Sequence, residues 1–161
     1  MAEMMKEVVV VEPHKYEVRE VEIPELANED EVLIQMKSAG VCGSDHHIWH
    51  GSNPCSTYPR IPGHEFSGEV VDIGKNVKNV NIGDRVAGCP VVFDGIDYYY
   101  KKGEYNRSDF NRAIGALRPG AFAEYISLPS QNLLKIPDTL DYDSAALIEP
   151  STVVIHGLYR T

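Results

Sequence analysis

The chain is short of cysteine, of basic charge and of long apolar runs, and each shortage excludes something. Only three cysteines occur among 161 residues: Cys42, Cys55 and Cys89. No two of them form a C-x-x-C pair, which excludes zinc ribbons and thioredoxin-type redox motifs. An odd, widely spaced set also argues against a disulfide framework and fits a reducing, cytoplasmic setting. The longest purely apolar run, Val8 to Val11, is far too short to cross a membrane. Met1 to Glu12 carries three acidic residues and lacks the basic-then-apolar order of a secretion signal. Lysine and arginine number 15 against 24 aspartates and glutamates, a net charge of −9. Nonspecific nucleic-acid binding requires a basic surface that so acidic a chain does not offer. No two of the 13 glycines are separated by a single residue, so a G-x-G-x-x-G dinucleotide fingerprint is absent.

What is present is ordinary for a folded domain: 43% hydrophobic and 24% charged residues. The length suits one domain with a real core. Strand character runs through Glu7 to Glu12, Glu17 to Ile23, Val32 to Lys37, Phe66 to Ile73, Arg85 to Ala87 and Ala121 to Leu128. In the third of these, Val32, Ile34 and Met36 alternate with Leu33, Gln35 and Lys37, the period of a half-buried strand. Short strands punctuated by glycine and proline predict a mainly β, barrel-like body with short helices. One helix is expected over Ser44 to Trp49, capped by Ser44 or Asp45. Asp141 or Asp143 caps a second, which Pro150 ends or kinks at Glu149, and a last helical run covers Ser151 to Leu158. Asp94 to Pro119, with Tyr98, Tyr99, Tyr100 and Tyr105, reads as an inserted lobe without a clear period.

Four residues offer zinc-ligand chemistry. Cys42 lies in Gly40-Val-Cys-Gly-Ser-Asp-His-His47, His64 and Glu65 follow the Pro62-Gly63 turn, and Glu149 stands at the break before Pro150. A thiolate, an imidazole and carboxylates are donors that zinc accepts. Taken singly, each has a plainer reading: a small core cysteine, a loop histidine, a surface carboxylate. A metalloprotease is excluded, because His64-Glu65 lacks the second histidine of H-E-x-x-H. The i,i+4 pair His46 and His50 has ligand spacing but needs further ligands.

In order along the chain, Gly40-Val-Cys-Gly-Ser-Asp-His-His47, Pro62-Gly-His-Glu-Phe-Ser-Gly68, Val80-Asn-Ile-Gly-Asp-Arg-Val86, Gly120-Ala-Phe-Ala-Glu-Tyr125 and Ile148-Glu-Pro150 together resemble the zinc-dependent medium-chain dehydrogenases. The likeness is to the sorbitol, galactitol-phosphate and threonine dehydrogenase branch. It implies a GroES-like β-barrel catalytic domain over residues 1–150. Residues 151–161 would begin a helix toward a Rossmann cofactor domain that these residues do not contain. It implies Cys42, His64, Glu65 and Glu149 as ligands of one catalytic zinc. Ser44 would bond the substrate hydroxyl, His47 would pass its proton to solvent, and Asp45 would orient His64. His46, His50 and His156 match no catalytic position and are read as structural. The lobe at 94–119 has no cysteine, so no structural zinc is expected there. The implied activity is oxidation of a secondary alcohol or polyol through a zinc alkoxide, with hydride passing to NAD(P) held by the other domain. The fragment alone would then be inactive, with exposed apolar surface near its end that leaves room for a homo-oligomer. The alternative is a non-catalytic zinc-binding or interaction module that keeps the barrel.

Overall fold

A computed structural model describes residues 3–93, 95–109 and 111–160. Among these residues nine strands occur: β1 (Met4–Glu12), β2 (Lys15–Glu22), β3 (Glu31–Gly40), β4 (Glu65–Ile73), β5 (Arg85–Gly88), β6 (Val91–Phe93), β7 (Asn111–Ala113), β8 (Tyr125–Pro129) and β9 (Leu133–Lys135). Four helices accompany them: α1 (Gly43–His50), α2 (Tyr98–Lys101), α3 (Tyr142–Ala146) and α4 (Ile148–Leu158). The body is thus mainly β, as the punctuation by glycine and proline predicts.

The central sheet is antiparallel with strand order β8-β3-β4-β5-β9. The alternation in β3 turns Val32 and Ile34 inward, and both are fully buried. They pack with Phe66 and Val70 of β4, Val86 of β5 and Leu128 of β8. Each such side chain contributes about 1.5–3 kcal/mol by leaving water. The β1–β2 hairpin joins this body through backbone bonds, with Val8 N donating to Phe122 O and Val10 N to Arg60 O, both at 2.8 Å.

Three boundaries differ from the sequence expectation, each for a visible reason. The N-cap of α1 is Cys42, not Ser44 or Asp45. Asp45 lies inside the first turn, and its carboxylate reaches back to accept from Cys42 N at 2.9 Å, the reciprocal half of a capping box. The strand expected over Ala121 to Leu128 begins only at Tyr125. The residues before it direct their N–H groups elsewhere, Ala121 to Gly63 O, Phe122 to Pro62 O and Glu124 to Lys6 O. The helical break falls at Leu147 rather than at Glu149. Pro150 therefore occupies the first turn of α4, where a missing N–H removes no helical bond.

Helix α3 is capped by Asp141, which accepts from Ser144 N at 2.7 Å. The Ser144 N–H and hydroxyl together hold the Asp141 carboxyl below the usual range. The helix lies on the sheet: Ala145 is fully buried, Ser67 Oγ donates to Tyr142 O at 2.6 Å, and the Arg85 guanidinium stacks 4.3 Å above the Tyr142 ring. This docking brings α4, and with it Glu149, back against β4 and β5.

Candidate metal centre

Strand register builds the site. Gly40, the last residue of β3, pairs with Glu65, the first of β4. Cys42 follows two residues after Gly40, and His64 precedes Glu65, so the two segments emerge side by side. Sulfur of Cys42, a ring nitrogen of His64 and a carboxylate oxygen of Glu65 all lie within 4.8 Å of one another. Among the described residues no other group of three histidine, cysteine or acidic side chains comes together in this way. Glu65 is buried and the other two are half-buried.

Two glycines make the approach feasible. A Cβ on Gly40 would strike the Glu65 carboxylate. Gly63 has φ of +94°, and a Cβ there would run into the Phe122 ring. Asp45 ties the segments together: Oδ2 accepts from Cys42 N and Oδ1 from Gly63 N, both at 2.9 Å. Its Oδ1 stands 3.8 Å from His64 Nδ1, near enough for charge attraction but beyond a hydrogen bond.

Glu149 and Ser44 reach the same place from other elements. With His64, Ile48, Asn53 and Cys55 they line a cavity of about 320 Å³. Burial pushes the Glu149 carboxyl up; a charged His64 opposes this, and Glu65 adds to it. Glu149 is thus a wall of the cavity, outside the close group of three. His47 points elsewhere: its Nδ1 lies 2.9 Å from Ser52 Oγ, and the residue is exposed. Reading the sequence misses Ser52 as the partner of His47 and Gly40 as the residue that leaves room for Glu65. The only sequence signal for the latter is the pair of glycines flanking Cys42.

The donors suit zinc. A thiolate, an imidazole and a carboxylate converge beside an open cavity, the composition of a catalytic rather than a closed structural site. The lobe after β6 is organised differently. Its first residue, Asp94, lies outside the described residues. Phe93, Tyr100 and Tyr105 stack mutually with ring centroids 5.3–5.4 Å apart. Asp97 caps α2 by accepting from Tyr100 N at 2.7 Å and also accepts from Asp109 N at 3.1 Å.

The profile of the alcohol dehydrogenase GroES-like domain matches residues 28–138. The chain belongs to this family. An uncharacterized zinc-type alcohol dehydrogenase-like protein of Haemophilus influenzae is 40% identical over all of this chain and 47% of its own length. The L-galactonate-5-dehydrogenase of Escherichia coli is 40% identical over 88% of this chain and 41% of its own. The crystal structure of galactitol-1-phosphate dehydrogenase from Escherichia coli superposes with a TM-score of 0.90 at 35% identity, covering 96% of this chain and 44% of that one. The GroES-like chain thus spans less than half the length of each of these relatives.

Proposed function

We propose that this chain is the catalytic half of a zinc- and nicotinamide-dependent dehydrogenase acting on secondary alcohols or polyols. The observation that carries the reading is the convergence of Cys42, His64 and Glu65 within 4.8 Å beside the cavity lined by Ser44 and Glu149. Cys42, His64 and Glu65 would hold the zinc, with Glu149 at the cavity wall as a fourth or exchanging ligand. Zinc, when bound there, supplies the Lewis acidity that makes an alcohol hydroxyl acidic near neutral pH.

Ser44 accepts the hydroxyl proton. His47, whose ring is held by Ser52 at the surface, would have to turn toward Ser44 to carry that proton to solvent. A nicotinamide, where bound, would supply the hydride acceptor; loss of the carbinol hydrogen as hydride together with the hydroxyl proton removes two electrons and two protons and leaves a ketone. Asp45 holds the Cys42 and His64 segments in register. Lining residues Ile48, Asn53 and Cys55 give the cavity a mixed apolar and polar wall, suited to a short carbon chain bearing hydroxyls. The nicotinamide would be held by a second domain, and the lobe at 94–119, which has no cysteine, would hold no structural zinc. The GroES-like domain extends to the start of α4, whose remainder leads across to the cofactor domain.

Metal analysis of the dialysed chain is the direct test: one tightly held zinc is expected, and Cys42→Ser should abolish it. Two tightly held zincs would overturn the ligand assignment. In the whole protein, secondary polyols should drive NAD(P) reduction; zinc binding without turnover on any of them would favour a non-catalytic module.

A further inference from the structure

The lobe at 94–119 returns to the barrel through a segment that touches both the cavity and the turn before His64. Ala113, Ile114, Gly115 and Ala116 line the cavity beside His64. Gly115 is buried, and its φ of +81° is a left-handed backbone that glycine adopts without strain. A Cβ there would stand 2.9 Å from Gly63 O and 3.0 Å from Gly63 N. Both are backbone atoms, so no flexible side chain can swing aside to relieve the clash. Gly63 directly precedes His64 and Glu65.

The lobe side of this contact is firmly anchored. Ile114 N donates to Pro90 O and Gly115 N to Arg118 O, both at 2.9 Å. The Ile114 side chain belongs to the central core, and Arg118 pairs with the buried Glu31 at 3.4 Å. On the other side, Gly63 O accepts from Ala121 N at 2.9 Å, the Phe122 ring fills the space a Gly63 Cβ would take, and His64 opens onto the cavity. Pressure at this contact therefore moves the turn rather than the lobe. We infer that Gly115 is a positioning residue for the metal centre: the returning segment of the lobe props the Pro62-Gly63 turn and so sets where His64 and Glu65 present their donors. The inference rests on Cys42, His64 and Glu65 being the ligands.

Co²⁺ is the probe, because its thiolate charge-transfer and d–d bands report ligand geometry to which d¹⁰ Zn²⁺ is silent. The chain is loaded with Co²⁺, its spectrum is recorded, and a chelator is titrated in. Gly115→Ala is expected to shift the bands and to weaken Co²⁺ and Zn²⁺ by about tenfold or more, the scale for groups that orient ligands. Gly103→Ala is the control. Gly103 belongs to the same lobe, has a φ of +73°, and has nothing within 4 Å of its Cβ position. That variant carries the backbone strain without the push on Gly63, so it should lower the melting temperature and keep the parental bands and affinity. Phe122→Leu keeps the backbone bonds and withdraws only the ring from Gly63. It should shift the bands and weaken both ions by less than Gly115→Ala, and it decides the matter if Gly115→Ala does not fold. Parental bands and affinity in Gly115→Ala, or in Phe122→Leu where the former does not fold, would overturn the prop. Equal weakening by Gly103→Ala would overturn it too, by marking the effect as a general loss of stability. A parent chain that shows no thiolate–Co²⁺ band would overturn the ligand assignment, and this inference with it.

Discussion

Asp45 Oδ1 stands 3.8 Å from His64 Nδ1 while accepting the Gly63 N–H at 2.9 Å. The other oxygen of the same carboxylate accepts the Cys42 N–H. Asp45 therefore acts on His64 chiefly through the backbone of the residue before it, and on Cys42 through that residue's own backbone. One buried side chain holds two donor-bearing segments that the sequence separates.

Removing that tie should be felt at the metal. Asp45→Ala is expected to lower zinc affinity by about 10- to 100-fold, the scale for partners that orient ligands. Asp45→Asn keeps only one oxygen acceptor and should fall between. Chelator competition reads the effect, and unchanged affinity in Asp45→Ala would refute the tie.

Gly40 offers a test from the opposite strand. A Cβ there would strike the Glu65 carboxylate, so Gly40→Ala should displace that donor and weaken zinc by about tenfold or more. Circular dichroism should show the fold intact. Tight zinc in Gly40→Ala would mean that Glu65 is not needed as a ligand.

Ser44 lines the cavity beside His64. In the whole enzyme, Ser44→Ala should keep its zinc and slow turnover by roughly 10²-fold or more, the scale of a lost proton relay. Loss of zinc, or turnover at the parent rate, would contradict the assignment.

Helix α4 leaves Val153 and Val154 more than 60% exposed, an apolar face of the kind that seeks a partner. The 161-residue chain should self-associate, and Val153→Lys with Val154→Lys should weaken that association in sedimentation experiments. Calorimetry with NAD should give no isotherm. A clear one would show that nicotinamide binding does not need another domain.

Acid stability has a signed expectation at Asp84. Its carboxylate accepts from Lys135 Nζ at 2.8 Å and from Asn81 N at 2.7 Å. The bond from Lys135 chiefly holds the carboxyl below the usual aspartate range, with the Asn81 bonds adding to it. A depressed folded-state value means the carboxylate stabilises the fold above the ordinary aspartate pKa. That contribution fades as pH falls through the depressed value. Asp84→Asn should therefore flatten the acid limb of a denaturation-against-pH profile and leave the neutral-to-basic limb parallel to the parent. An unchanged acid limb would show that the ion pair adds nothing.

Local pattern determined a good deal of this protein. The alternation of Val32, Ile34 and Met36 specified both a strand and its buried face, because a period of two leaves one set of side chains facing the core. An aspartate cap, Asp141 or Asp143, was legible because a short acidic side chain before an apolar run can reach the free N–H groups of the first turn; the structure decides for Asp141. The donor types at Cys42, His64, Glu65 and Glu149 were legible because their chemistry is carried by single side chains; the convergence of the first three was not. Local pattern did not place the helix break. Pro150 is equally compatible with ending one helix and with sitting in the first turn of the next, and the docking of α3 under Ser67 and Arg85 decided for Leu147. Nor could it bring the donors together. Gly40 meets Glu65 only through the β3–β4 register, Asp45 bonds Gly63 only once that register exists, and Glu149 reaches the cavity only because α3 lies on the sheet. These are contacts between residues far apart in the chain, decided by packing and hydrogen bonds that no local pattern encodes.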